Sequence, residues 1–293
     1  MLGHCVMAQQ FKVVSVDPVL LPEGRKAYYP VFSNSGLSVL YSNENYKGLY
    51  HLDLKRGDET VLSESEGAGY RALFAPDDRT VYYVTTSFKD KRKFSSLKSS
   101  TIQDGAEKVL VGPSRKTIHP MVLGNQLIYN SDQGVSKQKV SNLKSSVSSD
   151  LFLTIEDRKL VVHQNGTSKS INPANVESYI WPTVSPDGSK IAFYAIGKGA
   201  FVCNPDGSQL VNLGEVEAPR WVNNQFLVGM DSQDNGHYIT ASSIVVFDLK
   251  SKTRQVVTGS DLVAMHPSAS VVCGSILFNT LDGKLFQMKF VIE

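Results

Sequence analysis

The chain has 293 residues, of which 41% are hydrophobic and 20% are charged, so it can bury a substantial core. Its formal net charge of +2 is too small to indicate a nucleic acid or an anionic membrane surface as partner. Its three cysteines form no C-x-x-C pair, which gives no indication of a zinc or dithiol redox site. No run of about 18 apolar residues predicts a membrane span.

The first ten residues resemble the end of a secretion signal. Val6 and Ala8 stand where small residues precede a cleavage site, but the basic region and most of the apolar run are missing. We therefore expect residues 1–10 to be a signal-peptide remnant or a disordered tail, and residues 11–293 to form one domain. This interpretation predicts a periplasmic or secreted protein.

A repeating unit then runs along the chain: one marked residue, a short strand, a turn and a second strand. The first unit runs from Tyr29 through Gly36 to Val39-Leu40-Tyr41, and the fifth runs from Trp181 through Gly188 to Ile191-Ala192-Phe193. The fourth unit is degenerate but aligns on the fifth without a gap, with Asp150 in place of Trp181 and Asp157 in place of Gly188. The marked positions, which we call ring positions, are Tyr29, Arg71, His119, Asp150, Trp181, Ala218 and His266.

Turn chemistry supports this interpretation most clearly in the fifth unit. In Pro186-Asp187-Gly188 the proline fixes φ, the aspartate can bond its own backbone and the glycine accepts a positive φ. Further runs such as Leu49–Asp53, Phe201–Cys203 and Ile244–Phe247 read as third strands, and shorter apolar runs follow them as outer strands. Strand after strand without a sustained helical period predicts an all-β fold, a β-propeller.

The number of blades follows from the spacing of the ring positions. A four-stranded blade needs about 40 to 50 residues, and the spacing around residues 119, 150 and 181 is shorter than that. The third and fourth units are therefore two three-stranded blades, which gives seven blades, or one oversized blade, which gives six; we favour seven. The segment Phe11–Val16 has no blade of its own, and we expect it to complete the last blade and close the ring.

The repeat resembles the TolB-like, WD40-like propeller repeats of bacterial proteins. The residues that carry the resemblance are Ser185–Phe193, with Ala75–Tyr83 as a second copy, and the pattern extends from about residue 28 to 293. It implies the fold and says little about function, because similar repeats occur in TolB, in prolyl-oligopeptidase-like enzymes and in oligogalacturonate lyases. No G-x-S-x-G nucleophile elbow is present.

The ring positions begin the innermost strands and should converge on the mouth of the central channel. With Arg220, which neighbours the sixth position, they offer aromatic, cationic, imidazole and carboxylate groups for a polar ligand. We predict a ligand site formed by Tyr29, Arg71, His119, Asp150, Trp181, Arg220 and His266.

The sequence offers two alternatives to this site. His119, His266 and Asp150 could in principle bind a metal, as the resemblance to oligogalacturonate lyases implies, although simple filling of the channel is the favoured alternative. The loop from Asp231 to His237 could hold a cation, but it lacks the spacing of an EF-hand and reads as a polar turn.

Two classes of function follow. The favoured one is a non-catalytic, TolB-like propeller of the bacterial cell envelope that binds a protein or carbohydrate partner as a monomer, without cofactor or metal. The other is a carbohydrate-active enzyme that resembles oligogalacturonate lyase and uses channel histidines to hold a metal.

Overall fold

The computed structural model describes residues 9–116, 118–132, 134–140 and 151–293, and within them the chain folds into seven antiparallel sheets arranged as a β-propeller. This confirms seven blades rather than six. The sole helical element of the described residues is a short 3-10 turn, Glu44–Tyr46. No helix in this part of the chain has the length and apolar character needed to cross a membrane.

Blades 1 and 2 each have four strands, which follow one another in sequence from the channel outward. The first strand, β1 (Phe11–Pro18), precedes blade 1, which comprises β2 (Tyr28–Phe32), β3 (Ser38–Ser42), β4 (Leu49–Asp53) and β5 (Glu59–Ser63). Blade 2 comprises β6 (Leu73–Phe74), β7 (Thr80–Lys89), β8 (Arg92–Thr101) and β9 (Glu107–Ser114).

Blades 3 and 4 each have three strands among the described residues, as the short spacing predicts. Blade 3 comprises β10 (Met121–Leu123), β11 (Gln126–Ser131) and β12 (Gly134–Lys139). Blade 4 comprises β13 (Phe152–Glu156), β14 (Lys159–Gln164) and β15 (Thr167–Ile171).

Blades 5 to 7 return to four strands. Blade 5 comprises β16 (Tyr179–Val184), β17 (Ile191–Ala195), β18 (Gly199–Cys203) and β19 (Val211–Gly214). Blade 6 comprises β20 (Glu217–Trp221), β21 (Phe226–Asp234), β22 (Ile239–Asp248) and β23 (Thr253–Val256). Blade 7 comprises β24 (Ala264–Ser270), β25 (Ser275–Thr280), β26 (Leu285–Ile292) and, as its outermost strand, β1 (Phe11–Pro18).

The pairing of β1 with β26 closes the ring, as expected from the sequence. Phe11 lies opposite Ile292, and two backbone hydrogen bonds of 2.9 and 3.0 Å join Gln10 to Glu293. Phe11 is 7% exposed, and its ring stacks on Phe290 at 4.7 Å and meets Phe226 of blade 6 at 5.9 Å. The closing strand thus contributes an aromatic side chain to the packing between blades 6 and 7.

The core of the molecule lies between the blades, because each sheet buries one face against the sheet before it and one against the sheet after it. In the described part of the chain six apolar clusters are present, and each joins two neighbouring blades. They cover every interface except the one between blades 3 and 4, the two three-stranded blades.

The turn between the first two strands of a blade repeats in conformation. The corresponding residues of blades 1, 2 and 5 all have a positive φ: 72° at Gly36, 55° at Asp78 and 72° at Gly188. In the fifth unit the Ser189 amide donates to Asp187 Oδ1 at 2.9 Å, which is the local aspartate bond expected from the sequence. Blade 4 differs: Glu156 pairs with Lys159, so Asp157 and Arg158, both with a positive φ, form a two-residue hairpin, and the gapless alignment of the fourth unit on the fifth does not hold at this turn.

Replacing the closing aromatic should destabilise the whole ring. We expect Phe11→Ala to lower the free energy of unfolding by about 3 kcal/mol or more, as for a large aromatic removed from a core. Urea denaturation measures this, with Val14→Ala as the control: Val14 is on the same strand but 61% exposed, so its loss should cost about 0.5 kcal/mol or less. Equal unfolding midpoints for the two variants would contradict closure by this strand.

The positive φ at Gly188 supports a second test. A β-branched residue is strained in this conformation, so Gly188→Val should lower the free energy of unfolding by about 1 kcal/mol or more. The matched control is Gly112→Val, because Gly112 has no positive φ and no atom within 4 Å of an added Cβ. Chemical denaturation of both variants decides it: if they are equally stable, backbone strain at Gly188 is not the cause.

Candidate functional site

The ring positions begin the innermost strands, and most of them have an unusual backbone conformation. Five of them are non-glycine residues with a positive φ: Tyr29 (55°), Arg71 (55°), Trp181 (52°), Ala218 (47°) and His266 (53°). In four blades the pairing register between the innermost strand and the next shifts across this residue. The ring residue is thus the bulge of its strand, a device that redirects a side chain at the edge of a sheet.

Side chains of neighbouring strands bond the backbone amides of three ring residues. Asn279, which is fully buried in blade 7, accepts a hydrogen bond at Oδ1 from the Tyr29 amide of blade 1 at 3.2 Å. The His266 amide contacts the Met230 sulfur of blade 6 at 3.4 Å, and the His119 amide donates to Asn130 at 2.6 Å. Two of these contacts cross between blades, so they help to fix the ring as a unit.

One side of the channel mouth is aromatic. The ring of Tyr29 stacks on Tyr46 at 3.8 Å and lies 4.4 Å from the imidazole of His266. Tyr46 belongs to the 3-10 turn between β3 and β4, and its ring meets Tyr70 edge to face at 5.1 Å. Burial raises the pKa of Tyr46, so its hydroxyl stays protonated at neutral pH.

The adjoining side is cationic. Arg71 lies 5.6 Å from the ring centre of Tyr70, and its Nη1 donates to Nδ1 of His119 at 3.2 Å. The pKa of Arg220 is lowered, first by desolvation and then by the charge of Arg71, whereas Tyr46 and Tyr70 raise it. Arg220 extends from blade 6, which is adjacent to neither blade 1 nor blade 2, so the effect of these three groups on its pKa indicates that its side chain points toward the channel mouth.

The Arg220 side chain is exposed to solvent, although the protein around it desolvates its charge and lowers its pKa. This combination is expected of a side chain that stands within a solvent-accessible channel and has protein on every side. Within the described part of the chain, neither Arg71 nor Arg220 forms an ion pair with a carboxylate. The channel therefore holds two cations that repel each other and lack a carboxylate partner among these residues.

The two imidazoles of the site are neutral at physiological pH, and they carry their proton on different ring nitrogens. Burial and the neighbouring Arg71 charge lower the pKa of His119 to about 4. Burial also lowers the pKa of His266 to about 4, against the raising effect of its hydrogen bond with Asn279. Because Arg71 can only donate, His119 accepts at Nδ1; His266 donates from Nδ1 to Asn279 Oδ1 at 3.1 Å.

The ring residues predicted from sequence differ in where the structure places them. The structure brings Tyr29, Arg71, His119, Arg220 and His266 together on one side of the mouth through the contacts above. Trp181 is at a ring bulge too, but its described ring contact is with Tyr194 of its own blade, at 5.6 Å. Asp150 lies outside the described residues.

Three contributors to the site were missed in the sequence. Tyr46 and Tyr70 come from loops that the repeat pattern does not mark, although Tyr70 directly precedes the ring residue Arg71. Asn279 directly follows the apolar run Ile276–Phe278 of an inner strand and is 0% exposed. A buried amide in such a strand was the one available signal, because a buried polar group needs partners.

The residues of the channel that the structure describes do not form the donor set of a metal site. Among the residues that the structure describes, no group of three or more His, Cys, Asp or Glu side chains could hold one. In addition, the Arg71 guanidinium donates to Nδ1 of His119, so this imidazole nitrogen already has a partner.

The loop that was the second candidate for a cation is a polar turn. Asp231 pairs with Arg254, and Asp234 Oδ1 accepts from the Gly236 amide at 2.7 Å. Asn235 Oδ1 accepts from the amides of His237 and Tyr238, both at 3.1 Å. The side chains proposed as ligands thus support the turn itself.

Comparison with solved structures places the fold among known propellers. The chain is similar to the WD40 β-propeller domain of Doa1, with a TM-score of 0.65 and 11% identity over 96% of this chain and 97% of that one. It is similar to a putative TolB from Agrobacterium tumefaciens, with a TM-score of 0.55 and 13% identity over 97% and 99% of the two chains.

Two further structures are similar to it. An oligogalacturonate lyase in complex with manganese has a TM-score of 0.53 and 13% identity over 97% of this chain and 96% of that one. TolB from Acinetobacter baumannii has a TM-score of 0.52 and 17% identity, and the match spans 87% of this chain but 58% of that one. No family model matches the sequence, and no curated protein is similar to it in sequence. The resemblance to TolB-like and WD40-like propellers is thereby confirmed for the fold.

The contact between Arg71 and His119 can be tested by titration. Replacing Arg71 by Gln removes a neighbouring positive charge, so the pKa of His119 should rise from about 4 toward its ordinary value of 6.5. NMR titration of the imidazole resonances measures it, with His266 as the internal control because its pKa does not depend on Arg71. A His119 pKa that stays unchanged in the variant would show that the two side chains are apart in solution.

Proposed function

We propose that this protein is a non-catalytic binding propeller whose channel mouth receives a carboxylate group of a ligand or protein partner. The observation that carries the proposal is the convergence of Arg71 and Arg220, two guanidinium groups from opposite blades that form no ion pair within the described residues. A carboxylate between them would relieve their repulsion and could accept bidentate hydrogen bonds.

The aromatic residues beside these cations suit a ligand with an apolar or sugar-like face. Tyr29, Tyr46 and Tyr70 form a continuous series of ring contacts that begins at His266 and ends beside Arg71. Such a surface provides stacking area next to the charge, and the blades hold it in place before a ligand arrives. Preorganised aromatic and cationic groups in one concavity are typical of a binding site.

A location outside the cytoplasm belongs to the proposal. The support is the pattern of Val6 and Ala8 near the start of the sequence, together with the similarity of the fold to TolB structures. On this basis we infer a propeller of the bacterial cell envelope that acts as a monomer on a protein or carbohydrate partner.

The alternative is an enzyme that acts on an acidic oligosaccharide. It is supported by the similar fold of an oligogalacturonate lyase and by the same arginine pair, which would suit a uronic acid. The donor set described above does not support the metal of that neighbour, so binding without catalysis is the better proposal.

Binding can be tested by calorimetry with three probes: a hexaglutamate peptide, an oligogalacturonate and a neutral oligosaccharide of equal length. We expect the wild type to bind at least one of the two carboxylate probes and not the neutral one. Arg71→Gln and Arg220→Gln should each weaken that binding by about tenfold or more, since hydrogen bonds to charged groups are worth about 1.5–3 kcal/mol.

The control is Arg115→Gln, which changes net charge equally but lies beyond the outer strand of blade 2, over the ring of Phe94. It should leave affinity unchanged. If the folded Arg71 and Arg220 variants bind as the wild type does, the site lies elsewhere. If the oligogalacturonate is instead cleaved to an unsaturated, ultraviolet-absorbing product, the enzyme alternative replaces the proposal.

A further inference from the structure

The interface between blades 3 and 4 differs from the other interfaces of the ring. Within the described residues it lacks an apolar cluster, and neither blade has a fourth strand there. A small cavity lies between the two blades, with Tyr129 and Val135 on one wall and Phe152 and Thr154 on the other. A polar cluster continues outward from this cavity on the face of blade 4.

The strand register places this cluster on one face. His163 lies opposite Phe152 on β13 and opposite Ser168 on β15. Thr154 and Glu156 follow Phe152 at intervals of two residues, so their side chains share that face. The ring of His163 lies flat on Phe152, at 4.3 Å and an angle of 2°. The stacking fixes the plane of the imidazole, which is 6% exposed.

The hydrogen bonds of the cluster fix where its protons lie. Thr154 Oγ1 donates its single proton to Glu156 Oε1 at 2.9 Å, because the carboxylate can only accept. Thr154 Oγ1 is also 2.8 Å from His163 Nε2, so there it must accept, and Nε2 holds the proton. In the neutral imidazole Nδ1 is then bare, and Ser168 Oγ donates to it at 2.7 Å.

The resulting chain runs in one direction: Ser168 to His163, His163 to Thr154, and Thr154 to Glu156. It is the arrangement of a nucleophile, a base and a group that orients the base. Two features complete it. Ser168 is exposed at the edge of the blade, and the ammonium of Lys137 from blade 3 lies 5.8 Å from the ring centre of Phe152, beside His163.

We propose that Ser168 is a nucleophile, with His163 as its general base, which reacts with activated esters in the crevice between blades 3 and 4. Thr154 and Glu156 are positioning residues that hold the imidazole in the reactive tautomer. Lys137 supplies a positive charge near the place where negative charge develops on the attacked carbonyl oxygen. The cavity between the two blades is also lined by Arg71 and His119 of the channel mouth, but the residues proposed for this reaction are not those to which carboxylate binding is assigned there.

The reaction balances without a cofactor. Ser168 Oγ forms a bond to the carbonyl carbon of the ester and gives its proton to His163 Nδ1. The carbon–oxygen bond to the leaving group breaks, and the alcohol departs with that proton. Water then attacks the acyl-serine with His163 again as base, which releases the carboxylic acid and restores the serine.

The test uses a fluorophosphonate probe on the full chain, followed by mass spectrometry of the labelled peptide. In this reaction Ser168 Oγ forms a bond to phosphorus, the phosphorus–fluorine bond breaks to release fluoride, and His163 accepts the serine proton. We expect one label per chain on Ser168, absent in Ser168→Ala. Ser170→Ala is the matched control, since Ser170 is exposed on the same face of β15 but lies opposite Val161 instead of His163; it should label as the wild type does.

The supporting residues are tested through the labelling rate. We expect His163→Gln to slow labelling about 100-fold, as for the loss of a general base. Thr154→Val should slow it about tenfold, whereas Thr154→Ser, which keeps the hydroxyl, should restore it. Circular dichroism and thermal melting confirm that each variant is folded.

The dependence of labelling on pH separates a paired serine from an ordinary one. The described charged groups that face His163 are Glu156 of β13, which raises its pKa, and Lys137 of β12, which lowers it; burial is the largest effect, and the pKa is lowered overall. The labelling rate should therefore be constant between pH 7 and 9. Absence of labelling, equal labelling of Ser168→Ala, or a rate that keeps rising to pH 9 would overturn the proposal.

Discussion

The structure depends on closure of the ring by β1 against β26. Each blade is a small twisted sheet with two faces to cover. Only a closed circle gives every blade two neighbours, and here the circle is closed by backbone hydrogen bonds and by the packing of Phe11 between blades 6 and 7. The channel and the convergence of the ring residues follow from this closure.

Much of the fold could be predicted because the chain repeats its own turn chemistry. The positive φ at Gly188 was expected from Pro186-Asp187-Gly188, and the same turn recurs at Gly36 and Asp78, whereas the fourth unit has a two-residue hairpin at Asp157 and Arg158. The spacing favoured seven blades, two of them short, over six, and the structure has seven. Local backbone preferences of this kind are visible in a sequence since they act over a few residues.

The site was harder to predict, because it depends on distances between blades. The sequence marked the starts of the inner strands, but it could not show that Ala218 occupies the bulge of blade 6 while Arg220 points into the channel. Tyr46 enters from a short helical turn whose direction depends on two residues with positive φ, Asn45 and Tyr46. The cluster around His163 was missed too, since its members look like ordinary strand residues until the register brings them onto one face.

The pairing of the first strand with the last sets an order on folding in the cell. β1 leaves the ribosome first, but its partner β26 is made after all the other strands, and contacts between such distant segments form slowly. Until then the apolar side of β1, with Phe11, and the surfaces of blades 6 and 7 that pack against it stay exposed to solvent. A chain secreted in an unfolded state would avoid this interval, because synthesis would be complete before folding begins.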